Sequence, residues 1–436
     1  MSSSAVSTRG AVARTLTVLM AVAIGLGACA TDDTGEPTED GPIELSVFWW
    51  GAERRAELTQ QALDVYAARN PGITFRVTWQ GYTGYYDKLA TQAAAGNTPD
   101  LFQIDDNYLT EYAERDVVLD LTPYVDSGEL DLSGFPNSLV QYGQIGGRTV
   151  AVAAAANTPA MVYNKTLLAE LGVDEPTIGM TYPVLIDWAS QITALTDGEV
   201  AGTMDPSADY KALWLWLRSN ELELYRGRQL GFEVDDLKAW FDLWQQARDA
   251  DATPSVELIR AANNGNATQQ LVVTGDAATS FMWSNQLAEL QKHTTADLGV
   301  VAYPGDPEGQ WARASMYWAG FRGTRHQQEV VDLIDFLVND PQAGRILGTE
   351  RGLSSNLKVR ETVQATLADE KMQASVAFEQ QMSDLFGPAP VPPPPGHTTV
   401  RTLLVTAAES VQIGAATPRQ AAEEFVAQAN AVLANS

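Results

Sequence analysis

The fold is decided by residues 43–77, IELSVFWWGAERRAELTQQALDVYAARNPGITFRV, in which a strand pattern passes into a helix pattern and back. Apolar and polar residues first alternate over Ile43–Phe48, which predicts a β-strand. Apolar residues then recur at helical spacing, at Leu58, Ala62, Val65 and Tyr66. After the turn Asn70-Pro71-Gly72 the alternation resumes, at Ile73, Phe75, Val77 and Trp79. The stretch therefore predicts a strand–helix–strand unit.

The pattern continues outward to a second helix and a third strand. A second helix is predicted over about Tyr86 to Ala95. It is expected to end there because the following residues, Gly96-Asn97-Thr98-Pro99, form a helix stop signal. The segment DLFQI, residues 100–104, follows as a strand. The order βαβαβ is typical of an open, mostly parallel sheet, which binds ligands at the carboxyl ends of its strands.

The rest of the chain is mainly helical in pattern. Helices are predicted over Leu213–Ser219, Asp235–Ala250 and Glu329–Val338, and a helical pair at the end of the chain. LGVVAYP, residues 298–304, is predicted as a strand that returns to the first lobe of the fold, and GPAPVPPPPGH, residues 387–397, as a Pro-rich surface loop. Trp240 and Trp244 share one apolar helix face, and we interpret both as packing residues.

The first residues have the pattern of a secretory signal peptide. Arg9 and Arg14 precede a short apolar run, residues 16–26, which is followed by small residues. Residues 26–29, LGAC, resemble a bacterial lipobox, in which Cys29, the single cysteine, becomes lipidated. A free thiol is the alternative. We therefore predict a signal peptide over residues 1–28, and a lipidated cysteine with a flexible tether over residues 29–42.

The formal net charge of −27 limits the partners of the protein. It argues against nucleic acid, whose phosphates would be repelled. It also disfavours a polyanionic ligand, although a local basic pocket can override the average. A neutral or cationic ligand fits better, and solubility alone explains the charge equally well.

Common catalytic and metal-binding motifs are absent from the sequence. The three histidines, at positions 293, 326 and 397, are far apart, and no His, Cys and Asp cluster has the spacing of metal ligands. There is no nucleophile elbow and no phosphate-binding glycine loop. The pair Asp105-Asp106 could serve a glycosidase, but adjacent strand residues point apart. We predict a protein that is not an enzyme and has no cofactor or metal.

Four segments resemble, in the same order, the family 1 extracellular solute-binding proteins of carbohydrate ABC importers, of which maltose-binding protein is the best known. The segments are NPGITFRV (residues 70–77), KLATQAAAGNTPDLFQIDDNYLTEYAERDVVLDLTPYV (88–125), YNKTLLAELGV (163–173) and VVDLIDFLVNDPQAGRILGTERGLSSN (330–356). The lipobox precedes them, as in the lipoprotein members of the family.

The resemblance implies an α/β fold of the periplasmic-binding-protein-like (type II) class, with a ligand cleft between two lobes that close by hinge motion. The chain is expected to cross between the lobes near Ala154, Tyr303 and Asp340. The N-lobe then comprises residues 43–154 plus 303–340, and the C-lobe comprises residues 155–302 plus 341–436.

Sugar recognition requires aromatic rings for the apolar face of a pyranose and polar groups for its hydroxyls. Trp50 is a candidate because it ends the first strand before Gly51, whereas Trp49, on the other strand face, is predicted as core. The other candidate ligand-binding residues lie at loops, strand ends and helix starts: Tyr82, Tyr85, Asp105, Asn107, Asn157, Asp209, Tyr210, Trp214, Trp283, Asn285 and Trp318. Ser284 is considered together with its neighbours Trp283 and Asn285. A purely structural role is the alternative for each residue, and Trp318 and His397 are the weaker candidates.

The resemblance implies an exported, monomeric lipoprotein, anchored by Cys29 to the outer face of the cytoplasmic membrane. Its expected partners are a carbohydrate ligand, specifically an oligosaccharide, and the permease subunits of an ABC importer. One alternative is the same fold with a non-sugar ligand such as a polyamine. The other is a secreted glycoside-active enzyme that uses Asp105 or Asp106. The sequence leaves open which sugar is bound, its linkage and its length.

Overall fold

The computed structural model describes residues 41–263 and 266–436. The predicted signal peptide, the lipidation site Cys29 and the tether as far as residue 40 lie outside the described residues. Within the described ranges, the chain forms two main sheets, a two-stranded hairpin and the helices that cover them.

The strands of the described residues are named in chain order. They are β1 (Ile43–Trp50), β2 (Ile73–Gln80), β3 (Leu101–Ile104), β4 (Gln144–Ile145), β5 (Arg148–Thr149), β6 (Val152–Asn157), β7 (Pro159–Asn164), β8 (Thr279–Trp283), β9 (Leu298–Ala302), β10 (Arg313–Gly320) and β11 (Leu353–Ser354).

The α-helices are named in the same way. They are α1 (Glu53–Arg69), α2 (Tyr85–Ala94), α3 (Asp106–Glu114), α4 (Thr122–Ser127), α5 (Asn137–Tyr142), α6 (Lys165–Leu171), α7 (Tyr182–Leu195), α8 (Tyr210–Ser219), α9 (Val234–Asp249), α10 (Val256–Ala262), α11 (Leu271–Thr274), α12 (Leu287–Gln291), α13 (Gln327–Asn339), α14 (Pro341–Leu347), α15 (Leu357–Gln364), α16 (Glu370–Ser383), α17 (His397–Gln412) and α18 (Pro418–Asn435).

The first sheet has six strands in the order β11-β6-β10-β3-β1-β2. Strand β1 pairs in parallel with β2 along its whole length and with β3 at Val47 and Phe48. Strand β10 is antiparallel to both of its neighbours, β3 and β6. The parallel part confirms the predicted βαβαβ unit, and the carboxyl ends of β1, β2 and β3 lie at one edge of the sheet.

Strand β1 is covered on both faces, so its alternate residues enter two different cores. Leu45, Val47 and Trp49 pack with residues of α1 and α13 in one cluster. Phe48 and Trp50 pack with residues of α2 and α3 in the cluster on the opposite face. Trp49 is fully buried, which confirms that it is a core residue. Trp50 is only 8% exposed, because the second face is covered as well.

The second sheet has three antiparallel strands in the order β8-β7-β9. Trp240 and Trp244 of α9 are fully buried in the main core of this lobe, as predicted for packing residues. The predicted strand at residues 298–304 is β9, but it pairs with β7 in this sheet instead of returning to the first lobe. The return takes place one strand later, with β10.

The first crossing between the sheets lies at Thr158, between β6 and β7, and not at the predicted Ala154. Asn157 therefore ends a strand of the first sheet instead of lying beyond the crossover. The second crossing lies between β9 and β10, and so between Ala302 and Arg313. The short strand β6 is rich in alanine, and its sequence gives no signal of where pairing changes from one sheet to the other.

The third crossing corrects the predicted boundary at Asp340. Strand β11 pairs with β6 in the first sheet, α14 packs against α1 and α13, and α15 packs against α14. The chain joins the second lobe only with α16, which packs on α12 and β9. Residues 341–364 therefore belong to the first lobe. Asp340 caps α14 and Pro341 begins it, so at this point the chain passes from α13 to another helix of the same lobe.

The first crossing is held by a buried carboxylate from the second lobe. Glu379 of α16 accepts hydrogen bonds from the Thr158 amide at 2.7 Å and from the Thr158 hydroxyl at 2.6 Å. The hydroxyl of Ser284 also donates to this carboxylate. Glu379 is 3% exposed, so these donors satisfy a charge that water does not reach.

Candidate ligand-binding pocket between the lobes

A pocket of about 860 Å³ lies between the two lobes. The first lobe contributes Tyr82 and Tyr108, which follow the carboxyl ends of β2 and β3. The second lobe contributes the loop before α8, the end of β8 and one face of α17. The aromatic side chains of the wall are Tyr82, Tyr108, Tyr210, Phe281 and Trp283. The volume and the mixture of rings and polar groups are typical of a small-molecule site.

Tyr82 covers the tryptophan that ends β1. Tyr82 is 49% exposed, and its ring lies edge-on to Trp50, with ring centroids 5.6 Å apart. Trp50 also meets Tyr85 at 5.1 Å, so its ring is enclosed by tyrosines. The exposed aromatic surface at this strand edge is therefore that of Tyr82.

Asp105 lies behind Tyr82 and holds it in place. The Tyr82 hydroxyl donates to the Asp105 carboxylate at 2.7 Å, and the same carboxylate caps α3 by accepting from the Asn107 amide at 2.9 Å. Burial and the neighbouring Asp106 carboxylate raise the pKa of Asp105 to about 6. Asp105 therefore positions the Tyr82 ring.

Arg313 of β10 links the first lobe to the pocket wall of the second. Its guanidinium binds both carboxylate oxygens of Asp106, with Nε 2.7 Å from Oδ2, and Tyr142 donates to Oδ2 at 3.0 Å. The Arg313 Nη2 also donates to the Tyr210 hydroxyl at 3.1 Å. Burial alone would raise the pKa of Asp106, but the charge and hydrogen bonds of Arg313 lower it below its ordinary value.

Trp283 ends β8 and forms part of the pocket wall. Two cations lie near its ring: the Arg313 guanidinium carbon is 4.7 Å from the ring centroid, and the Lys211 Nζ is 5.0 Å from it. Cation–π contacts of this kind hold the ring in position, and Trp is the aromatic residue that binds a cation most strongly. The indole is therefore a positioned platform at the junction of the two lobes.

Most charged side chains of the wall form ion pairs. Lys211 Nζ lies 2.9 Å from the Asp209 carboxylate, which also caps α8. Arg260 pairs with Glu409 at 2.7 Å. Asp205, which is fully buried, pairs with Arg248 outside the wall. The pocket therefore presents mostly compensated charges together with rings.

A small cavity adjoins the pocket and shares Tyr210, Lys211 and Trp283 with its wall. Its walls include Trp214, Trp311, Trp283 and Arg313, and its volume is about 10 Å³. The Trp214 and Trp311 rings are 4.8 Å apart, and the Trp214 indole nitrogen donates to Glu223 at 3.1 Å. With 2% exposure, Trp214 supports the pocket floor and does not form its surface.

A second cavity between the lobes, of about 320 Å³, lies near the first crossing. Its walls include Arg360 and Glu379, whose carboxylate already binds Thr158. The larger pocket is the better candidate because it lies at the carboxyl ends of β2, β3 and β8 and is lined by several aromatic rings.

The residues that the structure describes contain neither a candidate metal site nor a candidate membrane-spanning helix. Across residues 41–263 and 266–436, no group of three or more His, Cys, Asp or Glu side chains could hold a metal ion. Over the same residues, every helix is too short or too polar to span a bilayer.

Comparison with known proteins identifies the family. The sequence model of one protein family, the bacterial extracellular solute-binding proteins, matches residues 61–379, which is most of the chain. The chain belongs to this family. The resemblance to the family 1 solute-binding proteins is thereby confirmed, and the members of this family are binding proteins.

Similar proteins share the fold over most of their length. A relative from Brucella abortus (strain 2308) is 22% identical over 411 residues, covering 90% of this chain and 93% of its own. A family 1 extracellular solute-binding protein of Alicyclobacillus acidocaldarius has a TM-score of 0.75 at 24% identity, covering 90% of this chain and 99% of its own. An oligogalacturonide-binding protein of Yersinia enterocolitica has a TM-score of 0.76 at 20% identity with the same coverage. These neighbours confirm the predicted two-lobe α/β fold.

The structure brings four predicted site residues of this solute-binding protein to the pocket wall. These are Tyr82, Asp209, Tyr210 and Trp283. The other eight predicted residues lie outside the wall: Trp50, Tyr85, Asp105, Asn107, Asn157, Trp214, Asn285 and Trp318. Asp105 and Trp214 lie directly behind wall residues and support them.

Two of these residues are core residues with almost no exposed surface. Tyr85 is fully buried, stacks on Phe48 at 4.4 Å and donates its hydroxyl to the Gln103 carbonyl at 2.6 Å. Trp318 is 1% exposed in the core that contains Trp49, with the Arg351 guanidinium 5.1 Å from its ring. Neither ring offers a face to a ligand, which corrects their assignment to the site.

Three predicted amides, at Asn107, Asn157 and Asn285, are half-buried near the lobe junction. Within the described ranges, the side-chain oxygen of each is buried and accepts no hydrogen bond. His397, the weaker candidate, is 1% exposed and its Nδ1 lies 2.6 Å from the Tyr225 hydroxyl. Burial lowers the pKa of His397 to about 3, so its imidazole is neutral and structural at neutral pH.

The sequence interpretation missed several residues of the wall, notably Tyr108, Lys211 and Arg401. Tyr108 and Lys211 each lie close in sequence to a residue that was selected, so proximity to Asp105 and Asp209 was an available signal. Arg401 gave no such signal. It lies on the amphipathic helix α17, which the fold brings to the pocket from the end of the chain.

Proposed function

We propose that this solute-binding protein captures a saccharide, specifically an oligosaccharide, in the pocket between its lobes and delivers it to the permease of an ABC importer. The observation that supports this most is the combination of Tyr82 and Trp283 with hydrogen-bonding side chains on one wall. Rings accept the apolar face of a pyranose, and amide, carboxylate and guanidinium groups serve its hydroxyls. A structural neighbour that binds oligogalacturonide adds support for this ligand class.

We further propose that the protein is an exported lipoprotein anchored by Cys29 and acts as a monomer. The lipobox-like residues 26–29 support the anchor, since a diacylated cysteine supplies the two chains that stable anchoring needs. The family of extracellular binding proteins supports an exported location.

A polyamine ligand is less well supported by the pocket. A polyamine needs carboxylates that are free to pair with its ammonium groups. The three carboxylates of the wall, Asp205, Asp209 and Glu409, each already pair with a protein cation. A polyamine would have to displace those cations and so break the existing ion pairs. A saccharide needs no such displacement and therefore suits the wall better.

A glycosidase that uses Asp105 or Asp106 is also less well supported. Asp106 is 2% exposed and bound on both oxygens by Arg313. Asp105 is 7% exposed and bound by Tyr82 and the start of α3. Neither carboxylate lines the pocket, where an acid and a base would have to flank the scissile bond.

A ligand panel followed by calorimetry tests the proposal. The purified protein is first screened for a thermal shift with neutral oligosaccharides, acidic oligosaccharides and polyamines. Ligand at a hundred times its Kd stabilises the folded state by about 2.7 kcal/mol, a shift that the screen detects. We expect a saccharide to give the largest shift, and a shift with polyamines alone would contradict the proposal.

The same calorimetry tests the Trp283 platform with a matched variant. Trp283→Ala should weaken binding of the saccharide by about 1–3 kcal/mol, the loss typical of an aromatic anchor. Trp79→Ala is the control, because Trp79 is 43% exposed on β2 and does not line the pocket. If a folded Trp283→Ala protein keeps full affinity, Trp283 is not part of the binding site.

A further inference from the structure

The charged side chains of the pocket differ in whether a protein partner neutralises them. Asp209 with Lys211, and Glu409 with Arg260, are pairs within the wall. Asp205 has its partner, Arg248, behind the wall. The remaining charged residue of the wall is Arg401. The pocket therefore carries one guanidinium in excess.

Arg401 makes no hydrogen bond and no ion pair with any of the residues described. Its guanidinium carbon lies 4.3 Å from the centroid of the Tyr210 ring, which holds it in place by a cation–π contact. The side chain is partly buried in the pocket wall. Its N–H groups therefore remain available as a planar set of donors, positioned but without an acceptor.

An unpaired cation in a partly buried cleft is costly unless an anion or several acceptors join it. Arg is the residue whose fork of donors matches a carboxylate with two parallel hydrogen bonds. Sugar hydroxyls could also accept, but they leave the charge uncompensated. This excess cation lies in a chain whose net charge is −27, and a neutral ligand would not require it.

We propose that the ligand carries a carboxylate that pairs with Arg401, so that the preferred saccharide is an acidic one, built from uronic acid units. This inference rests on the proposed saccharide function of the same pocket and adds the substrate class to it. The local guanidinium overrides the average negative charge, which otherwise disfavours anions. The sugar rings pack on Trp283 and Tyr82, and Arg401 binds the carboxylate of the acidic saccharide.

Matched ligand pairs test the inference by isothermal titration calorimetry. Each pair consists of a neutral disaccharide and the same disaccharide with its hydroxymethyl groups oxidised to carboxylates, such as galactobiose and digalacturonate, and cellobiose and its diuronate. We expect the acidic member of at least one pair to bind about 10- to 100-fold more tightly, the range of a charge-assisted hydrogen bond.

Variants of the arginine assign that preference to its position. Arg401→Gln should reduce the preference for the acid to about threefold or less, mainly by weakening the binding of the acidic member. The ratio of the two affinities is the readout, because the lost donors can also weaken the binding of the neutral member. Arg401→Lys, which keeps the charge but loses the fork, should be intermediate. Arg419→Gln is the control, because Arg419 is a surface residue of α18 paired with Asp235. Circular dichroism and urea unfolding show whether each variant is folded.

The outcomes separate this inference from the proposed function. Equal or tighter binding of the neutral members overturns the inference and leaves the saccharide function standing. An acid preference that survives in a folded Arg401→Gln protein also overturns it, because another residue then reads the carboxylate. Binding of polyamines with no binding of either saccharide class overturns the function and the inference together.

Discussion

Replacing Asp106 with asparagine should be strongly destabilising, because Asp106 neutralises the buried guanidinium of Arg313. The Asp106 side chain is 2% exposed and that of Arg313 is 10% exposed. The substitution preserves the shape of the side chain but removes the negative charge. Arg313 would then remain inside the protein as a cation without a counter-ion.

The size of the effect follows from the contacts that change. Arg313 donates through Nε and Nη2 to the two carboxylate oxygens, and an amide offers only one oxygen for these two donors. A hydrogen bond to a charged group contributes about 1.5–3 kcal/mol. Breaking a buried ion pair by removing one partner costs about 3–5 kcal/mol, and we expect a loss in that range.

Urea unfolding measured by circular dichroism checks the expected loss. Glu114→Gln is the matched control, because Glu114 forms an ion pair with Arg228 at 2.5 Å in which both side chains are exposed by 40% or more. An exposed pair contributes at most about 1 kcal/mol. In the double variant Asp106→Asn with Arg313→Gln, much of the loss should be recovered, since no buried charge remains. A loss below about 1 kcal/mol for Asp106→Asn alone would refute this reasoning.

Three further predictions follow from single residues. Trp49→Ala should lower the free energy of unfolding by about 3–5 kcal/mol and Trp50→Ala by a similar amount, since both are buried, whereas the exposed Trp79→Ala should cost far less; urea unfolding compares them. The raised pKa of Asp105, about 6, means that the folded protein binds more protons than the unfolded chain between about pH 4 and 6 and loses stability as pH rises through that window. Asp105→Asn should therefore gain stability relative to the wild type on going from pH 4 to pH 7, and an equal pH response of the two proteins would contradict this. Cys29→Ala should release the protein from membranes into the soluble fraction without loss of the fold, and equal retention of both proteins would exclude the lipid anchor.

The first lobe could be predicted because its signals are local. Strand alternation at Ile43–Phe48, the helix face that includes Leu58, and the turn at Asn70 each lie within a few residues, and the structure contains the strands and helix that they predict. The lobe boundaries could not be predicted in this way. Strand β11 has two residues, too few for any pattern, and residues 341–364 are kept in the first lobe by its pairing with β6 and by the packing of α14 on α1 and α13, which are contacts between distant parts of the chain.

Of the four predicted residues that line the pocket, three lie at a strand end or a helix start, and the fourth, Tyr82, lies in the loop after β2. Trp283 ends β8 and Asp209 caps α8, and both line the pocket. Trp50 also ends a strand, but Tyr82, from the loop after a neighbouring strand, covers its ring. The position of a residue in a strand predicts the edge of the sheet at which it lies. Its exposure depends also on side chains from other parts of the chain, which can cover it. Arg401 is the opposite case, since a distant helix brings it to the pocket.

The network around Arg313 connects ligand binding to the junction of the lobes. Asp106 fixes the guanidinium from the first lobe, and the guanidinium in turn contacts the Tyr210 hydroxyl and the Trp283 ring of the second lobe. Both of these residues line the pocket, and Tyr210 also supports Arg401. A ligand that packs on Trp283 therefore contacts a side chain whose position depends on a first-lobe carboxylate. For this reason Asp106→Asn should weaken saccharide binding as well as lower stability, even though Asp106 does not touch the pocket. The control for binding is Glu57→Gln, which should leave saccharide affinity unchanged because its exposed partner Arg54 lies on the same helix, α1, and Glu57 does not line the pocket.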